Sequence, residues 1–240
     1  MSKWIWVRYL AVQHYRNKRC LHCPARINSL CSVLNHEEIG ELSEISVVRH
    51  FSKGEVIFSD ESPSTSVYNV ISGSLNLQKI DYLGNRQVMG FYFAGDFFGF
   101  PCNGHNQCSA LALTSLELCI ISRKYIMDIF FKFPAMQQKF IELLSLQNKQ
   151  LMDHTMLLGR KTASQKIASF LLLLFEKKSS NAEGDNIYLP MSRLDISDFL
   201  GLRSETVSRI LSRLESKEII RTKNCKNLKL INLEKLKTFL

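Results

Sequence analysis

Met191 to Leu214, MSRLDISDFLGLRSETVSRILSRL, is the stretch that most restricts what this chain can become. Leu194, Ile196, Phe199 and Leu200 supply one apolar face, and Val207, Ile210, Leu211 and Leu214 then recur at helical spacing. Gly201, between the two runs, is expected to end the first of two short helices. The helical period gathers Glu205, Ser208 and Arg209 onto one exposed face near the N-terminus of the second. That face suits a DNA major groove. Arginine offers two parallel donors to guanine, a carboxylate accepts from the cytosine amino group, and a hydroxyl bonds base or phosphate. A plain solvated helical hairpin has the same periodicity, so on the residues alone both readings stand.

The string D-I-S-D-F-L-G-L-R-S-E-T-V-S-R-I-L closely resembles the winged helix-turn-helix of the CRP/FNR family of bacterial transcription regulators, and its E-x-x-S-R variant resembles the FNR branch. The resemblance implies that Glu205, Ser208 and Arg209 read a TTGAT-like half-site, with Arg209 on guanine. The family usually has Ser or Thr where Arg203 stands, as the N-cap of the recognition helix. Arginine caps poorly. Either Ser204 caps one residue late, or Arg203 exchanges capping for a phosphate contact.

Charge distribution points the same way. Residues 160–240 hold 16 Lys and Arg against 9 Asp and Glu, whereas the preceding 159 residues hold 15 against 13. A basic C-terminal third around a helix-turn-helix is the electrostatic footprint of a phosphate-backbone binder. Beyond it, IIRTKNCKNLKL reads as a wing hairpin turning near Asn224 to Asn227, with Arg221, Lys223, Lys226 and Lys229 as phosphate contacts. The N-terminus, MSKWIWVRYLAVQHY, is broken by Arg8 and His14 before any adequate signal core. The longest apolar run, Phe170 to Phe175, is far too short for a bilayer. A soluble cytoplasmic protein with no membrane partner is expected. Seven cysteines in a reducing compartment are then thiols or metal ligands rather than a disulfide framework.

Cys20, Cys23 and Cys31 form C-x2-C-x7-C in CLHCPARINSLC, ahead of a helix expected to begin near Asn35. Three thiols within twelve residues can converge on one metal centre, and the residues themselves leave zinc, an iron-sulfur centre and no metal equally open. The FNR resemblance implies an oxygen-labile four-iron, four-sulfur cluster held by three N-terminal cysteines and a fourth in the sensory barrel. Cys20, Cys23 and Cys31 match the first three. In ALTSLELCIISRKYI, which fits the last barrel strand, Cys119 falls on the family's fourth position, ahead of the competing Cys102 and Cys108. Cys225 reads as an ordinary thiol, and His14, His22, His36 and His105 as surface residues.

Between Val47 and Arg123, six short β-rich runs (EVIFSD, SVYNVISG, SLNLQKID, YLGN, RQVMGFYFAGD and LALTSLELCIIS) are punctuated by Gly54, Gly73, Gly84 and Gly95 and read as an antiparallel barrel or jelly roll. KGEVIFSDESPSTSVYNVISGSLNLQ also looks like the family's cyclic-nucleotide-binding fold. A buried cyclic phosphate needs a cation, yet no Lys or Arg lies between Arg86 and Arg123, so no cyclic nucleotide is expected. After Pro134, a helix is expected to Leu158, with Phe140, Leu144, Gln147, Leu151, Thr155 and Leu158 forming a near-heptad seam. Phe140, Leu144, Leu151 and Leu158 are its dimer-interface candidates, the alternative being that the stripe packs on the chain's own barrel. A two-fold operator calls for a homodimer. The best-known FNR pattern has an acid where Leu151 aligns, so here dimers are expected to form more readily.

The expected architecture is α+β. It runs as a cysteine segment (1–34), a β-jelly-roll sensory domain (35–133), a dimerisation helix (134–158) and a winged helix-turn-helix (159–240). The resemblance implies a DNA-binding activator that senses oxygen through its iron-sulfur cluster, controls anaerobic or microaerobic genes, and touches RNA polymerase through the loop around Asp81 to Arg86. The alternative keeps the DNA binding and replaces the effector by haem, nitric oxide or zinc, or has none. An enzyme is not expected, because no cysteine sits in a nucleophile or redox motif with a paired histidine.

Overall fold

The computed structural model describes residues 19–100, 103–178, 185–224 and 226–240, so Cys102, Cys225, His14 and the SSNAEG loop lie outside the described residues. The chain is α+β and divides into two compact units. One contains the described residues up to Lys79 together with Gly90–Gln147; the other contains Ile80–Met89 and Asn148–Leu240.

The first unit begins with two short 3-10 turns, Arg26–Asn28 and Leu30–Val33, followed by helix α1, His36–Ile45. Asn35 starts α1 as expected. Its Oδ1 accepts from the amides of Glu37 and Glu38 while Glu38 Oε2 accepts from the Asn35 amide, a reciprocal cap contributing about 1 kcal/mol. Strands follow in the order β1 (Ser46–Phe51), β2 (Val56–Phe58), β3 (Ser66–Ser72), β4 (Ser74–Ile80), β5 (Arg86–Phe93), β6 (Phe97–Phe98), β7 (Ser109–Ala112) and β8 (Leu116–Ser122), with the end of β4 and the start of β5, as far as Met89, counted in the second unit. They form two antiparallel sheets, β1-β8-β3-β6 and β2-β7-β4-β5, the two layers of a jelly roll.

The strand reading needs four adjustments, of which the first is that the short β6 lies beyond the run that ends at Asp96. The run YLGN is the β4–β5 turn, LALTSLELCIIS divides into β7 and β8, and β1, too polar in SVVRHF to stand out, forms the edge beside β8. Gly73 shows why the glycine punctuation is obligatory: its φ is +85° and an added Cβ would lie 2.2 Å from the Ser115 carbonyl oxygen. One core fills the barrel with Phe51, Val70, Leu75, Phe98, Leu116 and Leu118. A second, on the other face of β3 and β8, joins Val67 and Ile121 to Leu30, Leu34, Ile39, and Ile126 and Phe130 of helix α2 (Arg123–Lys132).

Helix α3 runs from Pro134 to Arg160, two residues past the expected end. Its early seam is not free for a partner. Phe140 is buried against Phe97, Phe100 and Phe130, and Gln147 donates to the Phe97 carbonyl at 2.6 Å. This corrects the placing of Phe140 in the dimer interface: a heptad periodicity does not distinguish a partner helix from the chain's own sheet. Leu144 and Leu151 are exposed, in the company of Ile141, Met152 and Met156, and Leu158 is half-buried.

The second unit contains α4 (Ala163–Lys178), β9 (Asn186–Tyr188), α5 (Arg193–Leu200), α6 (Ser204–Ser216), β10 (Ile220–Asn224), β11 (Asn227–Leu230) and α7 (Leu233–Lys237). The wing turns at Asn224 to Asn227 as expected and adds β9 to make a sheet ordered β10-β11-β9. Among the described residues no helix is long and apolar enough to cross a membrane.

Candidate metal centre and nucleic-acid interface

Thiols from two distant parts of the chain meet in the first unit. Ala25 is buried, Leu30 and Leu34 anchor the N-terminal cysteine loop to the core that Val67 and Ile121 share, and Arg26 Nη2 donates to the Leu34 carbonyl at 2.6 Å. Cys20 and Cys31 pack against that core. Cys119 lies in β8 two residues before Ile121, so the strand period turns its side chain to the same side.

The electrostatics follow from this placement. Burial is the largest influence pushing the Cys119 thiol up to about 12, and Cys20, Cys31 and Cys23 add repulsion. Cys20 and Cys31 are raised as well, again first by burial, with other members of the set contributing. Cys108 stands apart; burial raises it to about 11, but its charged neighbours are Asp60 and Lys79. His22, His36 and His105 are exposed. Among the described residues, no three His, Cys, Asp or Glu side chains are gathered as a site for one metal ion. Cys20, Cys31 and Cys119 are partly or largely withdrawn from water, and with Cys23 the loop and strand offer sulfur donors only, the chemistry that suits a polynuclear metal-sulfur centre.

Polar side chains that the sequence did not single out surround these thiols. Ser29 Oγ lies 3.1 Å from Cys31 Sγ and also donates to the Arg26 carbonyl. Ser46 lies close enough to lower the Cys20 and Cys119 thiols slightly against the larger rise from burial, and its hydroxyl reaches the Ser43 carbonyl at 3.4 Å. Asn69, on β3, pairs directly with Cys119 on β8. It is 6% exposed, and its Oδ1 has no hydrogen-bond partner among the described residues, an omission that costs about 1 to 3 kcal/mol.

The cysteine loop rests on main chain. At Gly95, with φ +94°, an added Cβ would lie 2.9 Å from Asn28 Cβ. We expect Gly95→Ala to lower stability by about 1 to 3 kcal/mol through backbone strain and to expose Cys20 and Cys31 to alkylation, measured by thermal melts and timed iodoacetamide labelling.

In the second unit the two helices expected at Met191 to Leu214 are α5 and α6, joined by Gly201 in the left-handed conformation at φ +60°. Val207, Ile210, Leu211 and Leu214 are buried, and Arg203, Glu205, Ser208 and Arg209 are exposed. Leu194, expected inward, is 57% exposed, and Asp195 is buried in its stead. The reason is an ion pair. Arg86 spreads its guanidinium over α5, with Nε 2.6 Å from Asp198 Oδ2 and Nη2 2.9 Å from Asp195 Oδ1. Asp195 also closes the α5 cap, its Oδ2 accepting from the Ser192 amide and hydroxyl.

The C-terminal carbonyls of α5 are equally well met. His154 stacks on Phe199 at 4.1 Å and donates from Nε2 to its carbonyl, and buried Lys166 donates to the Leu200 carbonyl at 3.0 Å. Burial is the main cause holding the His154 imidazole below its ordinary pKa. Helix α6 starts without such help: Arg203 is its N-cap and makes no side-chain cap, and Ser204 Oγ turns instead to Glu205 at 3.3 Å. Of the two expectations for that end, late capping by Ser204 is therefore not what the structure has. On the wing, Arg221, Lys223 and Lys226 are exposed and Lys229 is half-buried.

Known proteins fit both units. Residues 48–133 match the cyclic nucleotide-binding domain and residues 165–239 the Crp-like helix-turn-helix domain. The nitrogen fixation regulation protein FixK of Bradyrhizobium diazoefficiens is 38% identical over 82% of this chain and 83% of its own length. The fumarate and nitrate reduction regulatory protein of Escherichia coli is 30% identical over 85% of this chain and 84% of its own. Among solved structures, FixK2 from Bradyrhizobium japonicum superposes with a TM-score of 0.77 at 30% identity, covering 81% of this chain and 97% of that one. These relatives are transcription regulators rather than enzymes, and with sensory-fold and DNA-reading modules in the family's order, this chain belongs to the CRP/FNR family of DNA-binding transcription regulators.

Proposed function

We propose that this chain is a homodimeric, oxygen-responsive activator of anaerobic or microaerobic genes, acting in the cytoplasm at palindromes of TTGAT-like half-sites. The observation that carries the reading is the approach of the Cys20 to Cys31 loop to Cys119 of β8, where burial and mutual repulsion disfavour bare thiolates at Cys20, Cys31 and Cys119. Such a set is stable when a cationic core compensates the charge. Cys20, Cys23, Cys31 and Cys119 would hold a four-iron, four-sulfur cluster, which when bound supplies sensitivity to oxygen. The chain's own part is to hold the loop from Cys20 to Cys31 against β8, through Leu30, Leu34 and the Gly95 turn.

Arg203, Ser204, Glu205, Ser208 and Arg209 form the proposed DNA-reading face. Leu144, Leu151 and Leu158, with exposed Ile141, Met152 and Met156, are the proposed dimer ridge of α3. RNA polymerase is the proposed partner of the loop from Asp81 to Arg86. Asp81 accepts there from the amides of Leu83 and Asn85 and from Asn85 Nδ2, which holds its carboxyl below the ordinary carboxylate range and presents Tyr82 and Leu83 to solvent.

Anaerobically purified protein tests the reading. It should contain iron and acid-labile sulfide, absorb in the visible, and bind its palindrome more tightly before aeration than after. Colourless protein, or zinc without sulfide, with the same DNA affinity in air would refute it. On the DNA side, Arg209→Ala should weaken specific binding by about 1 to 3 kcal/mol and relax the choice at one base pair, whereas Lys226→Ala should weaken all DNA alike. Titrations against specific and random duplexes separate the two.

A further inference from the structure

The buried Asn69 Oδ1 beside Cys119 has no hydrogen-bond partner among the described residues. Val67 and Asn69 share one face of β3, Cys119 and Ile121 share one face of β8, and the register pairs Val67 with Ile121 and Asn69 with Cys119. Val67 and Ile121 both lie in the core that receives the cysteine loop, so Asn69 and Cys119 point to that same side. Directly opposed residues of an antiparallel pair have Cβ atoms about 5 Å apart, which puts the Asn69 carboxamide within reach of Cys119 Sγ.

A buried unpaired polar atom in a native fold calls for a partner, and an unbound ligand is one of the few available. The two ends of a carboxamide exchange by a half-turn, so the group can turn its NH2 to the side that Oδ1 now faces. A thiolate accepts hydrogen bonds. Of the neighbouring hydroxyls, Ser29 lies against Cys31 and not Cys119, and both Ser29 and Ser46 also have main-chain carbonyls, of Arg26 and Ser43, as competing acceptors.

We propose that Asn69 is a positioning residue of the metal centre: its carboxamide donates to the Cys119 sulfur and sets how readily the centre is lost in air. This rests on the four-cysteine reading above. Hydrogen bonds to ligand sulfurs and restricted solvent access both tune an iron-sulfur centre, and a donor withdraws electron density from the sulfur it touches. Removing that donor makes the centre more easily oxidised.

The test uses the full chain, purified without air, as wild type, Asn69→Val and Asn69→Thr. Valine and threonine have the same shape and both suit a strand, so the hydroxyl donor is the difference between them. Circular dichroism and thermal melts establish that all three fold. Asn69→Val should take up the same iron and sulfide as wild type, show a lower midpoint potential in an anaerobic redox titration, and lose its visible absorbance in aerated buffer roughly 10-fold faster. Asn69→Thr should recover most of both properties. Equal potentials and equal decay rates in all three proteins would overturn the role of Asn69 and leave the four-cysteine reading intact. Wild-type protein without iron or sulfide would overturn both.

Discussion

Cys119→Ser should leave the barrel folded and remove the metal centre. A serine oxygen is shorter-reaching than sulfur and is not ionised near neutral pH, so three ligands would remain where four are needed. Iron per chain after anaerobic reconstitution is expected to fall from about 4 to below about 1. Operator binding by the variant should match aerated wild type under either atmosphere. Cys108→Ser is the control, because that thiol sits with Asp60 and Lys79 and should leave iron content unchanged. Iron and sulfide assays with gel-shift titrations under nitrogen and air check both. Full iron in Cys119→Ser would move the fourth ligand elsewhere.

Arg86→Ala should produce the largest loss of stability in the second unit. The guanidinium bridges two carboxylates with side chains only 11% and 19% exposed, so its removal strands two shielded negative charges and loosens the cap of α5. A cost of about 3 kcal/mol is expected, at the low end for breaking a buried pair because the site retains some solvent. For a unit of this size that lowers the melting midpoint by on the order of 10 °C. Arg86→Lys should restore only part of it, since an ammonium cannot span both acids as a planar fork does. A double-mutant cycle with Asp198→Ala, followed by thermal and urea unfolding, would apportion the loss.

Local rules made part of this molecule readable from its residues. Gly201 as the helix stop, Asn35 as the α1 cap and the Asn224 to Asn227 turn each follow from the chemistry of one or two residues, and the structure has all three. Apolar periodicity went further but carried no address. It marked Phe140 as a contact residue without saying that Phe97, Phe100 and Phe130 of the same chain would take it. It also turned Leu194 inward, since nothing near Asp195 announces an arginine more than a hundred residues away. Asn69 was invisible for the same reason: its meaning lies in strand register, which pairs it with a residue fifty positions on.

The contact at Gly95 has a mechanical consequence. Asn28 presses on bare backbone there, and that backbone is tied to Val70 in both directions, the Gly95 amide donating to the Val70 carbonyl and the Val70 amide to the Asp96 carbonyl. This contact runs through main chain, beside the Leu30 and Leu34 side chains that seat the same loop in the core. A displacement of the loop therefore has a main-chain route to the peptide next to Asn69, as a lever carries a push to its far end.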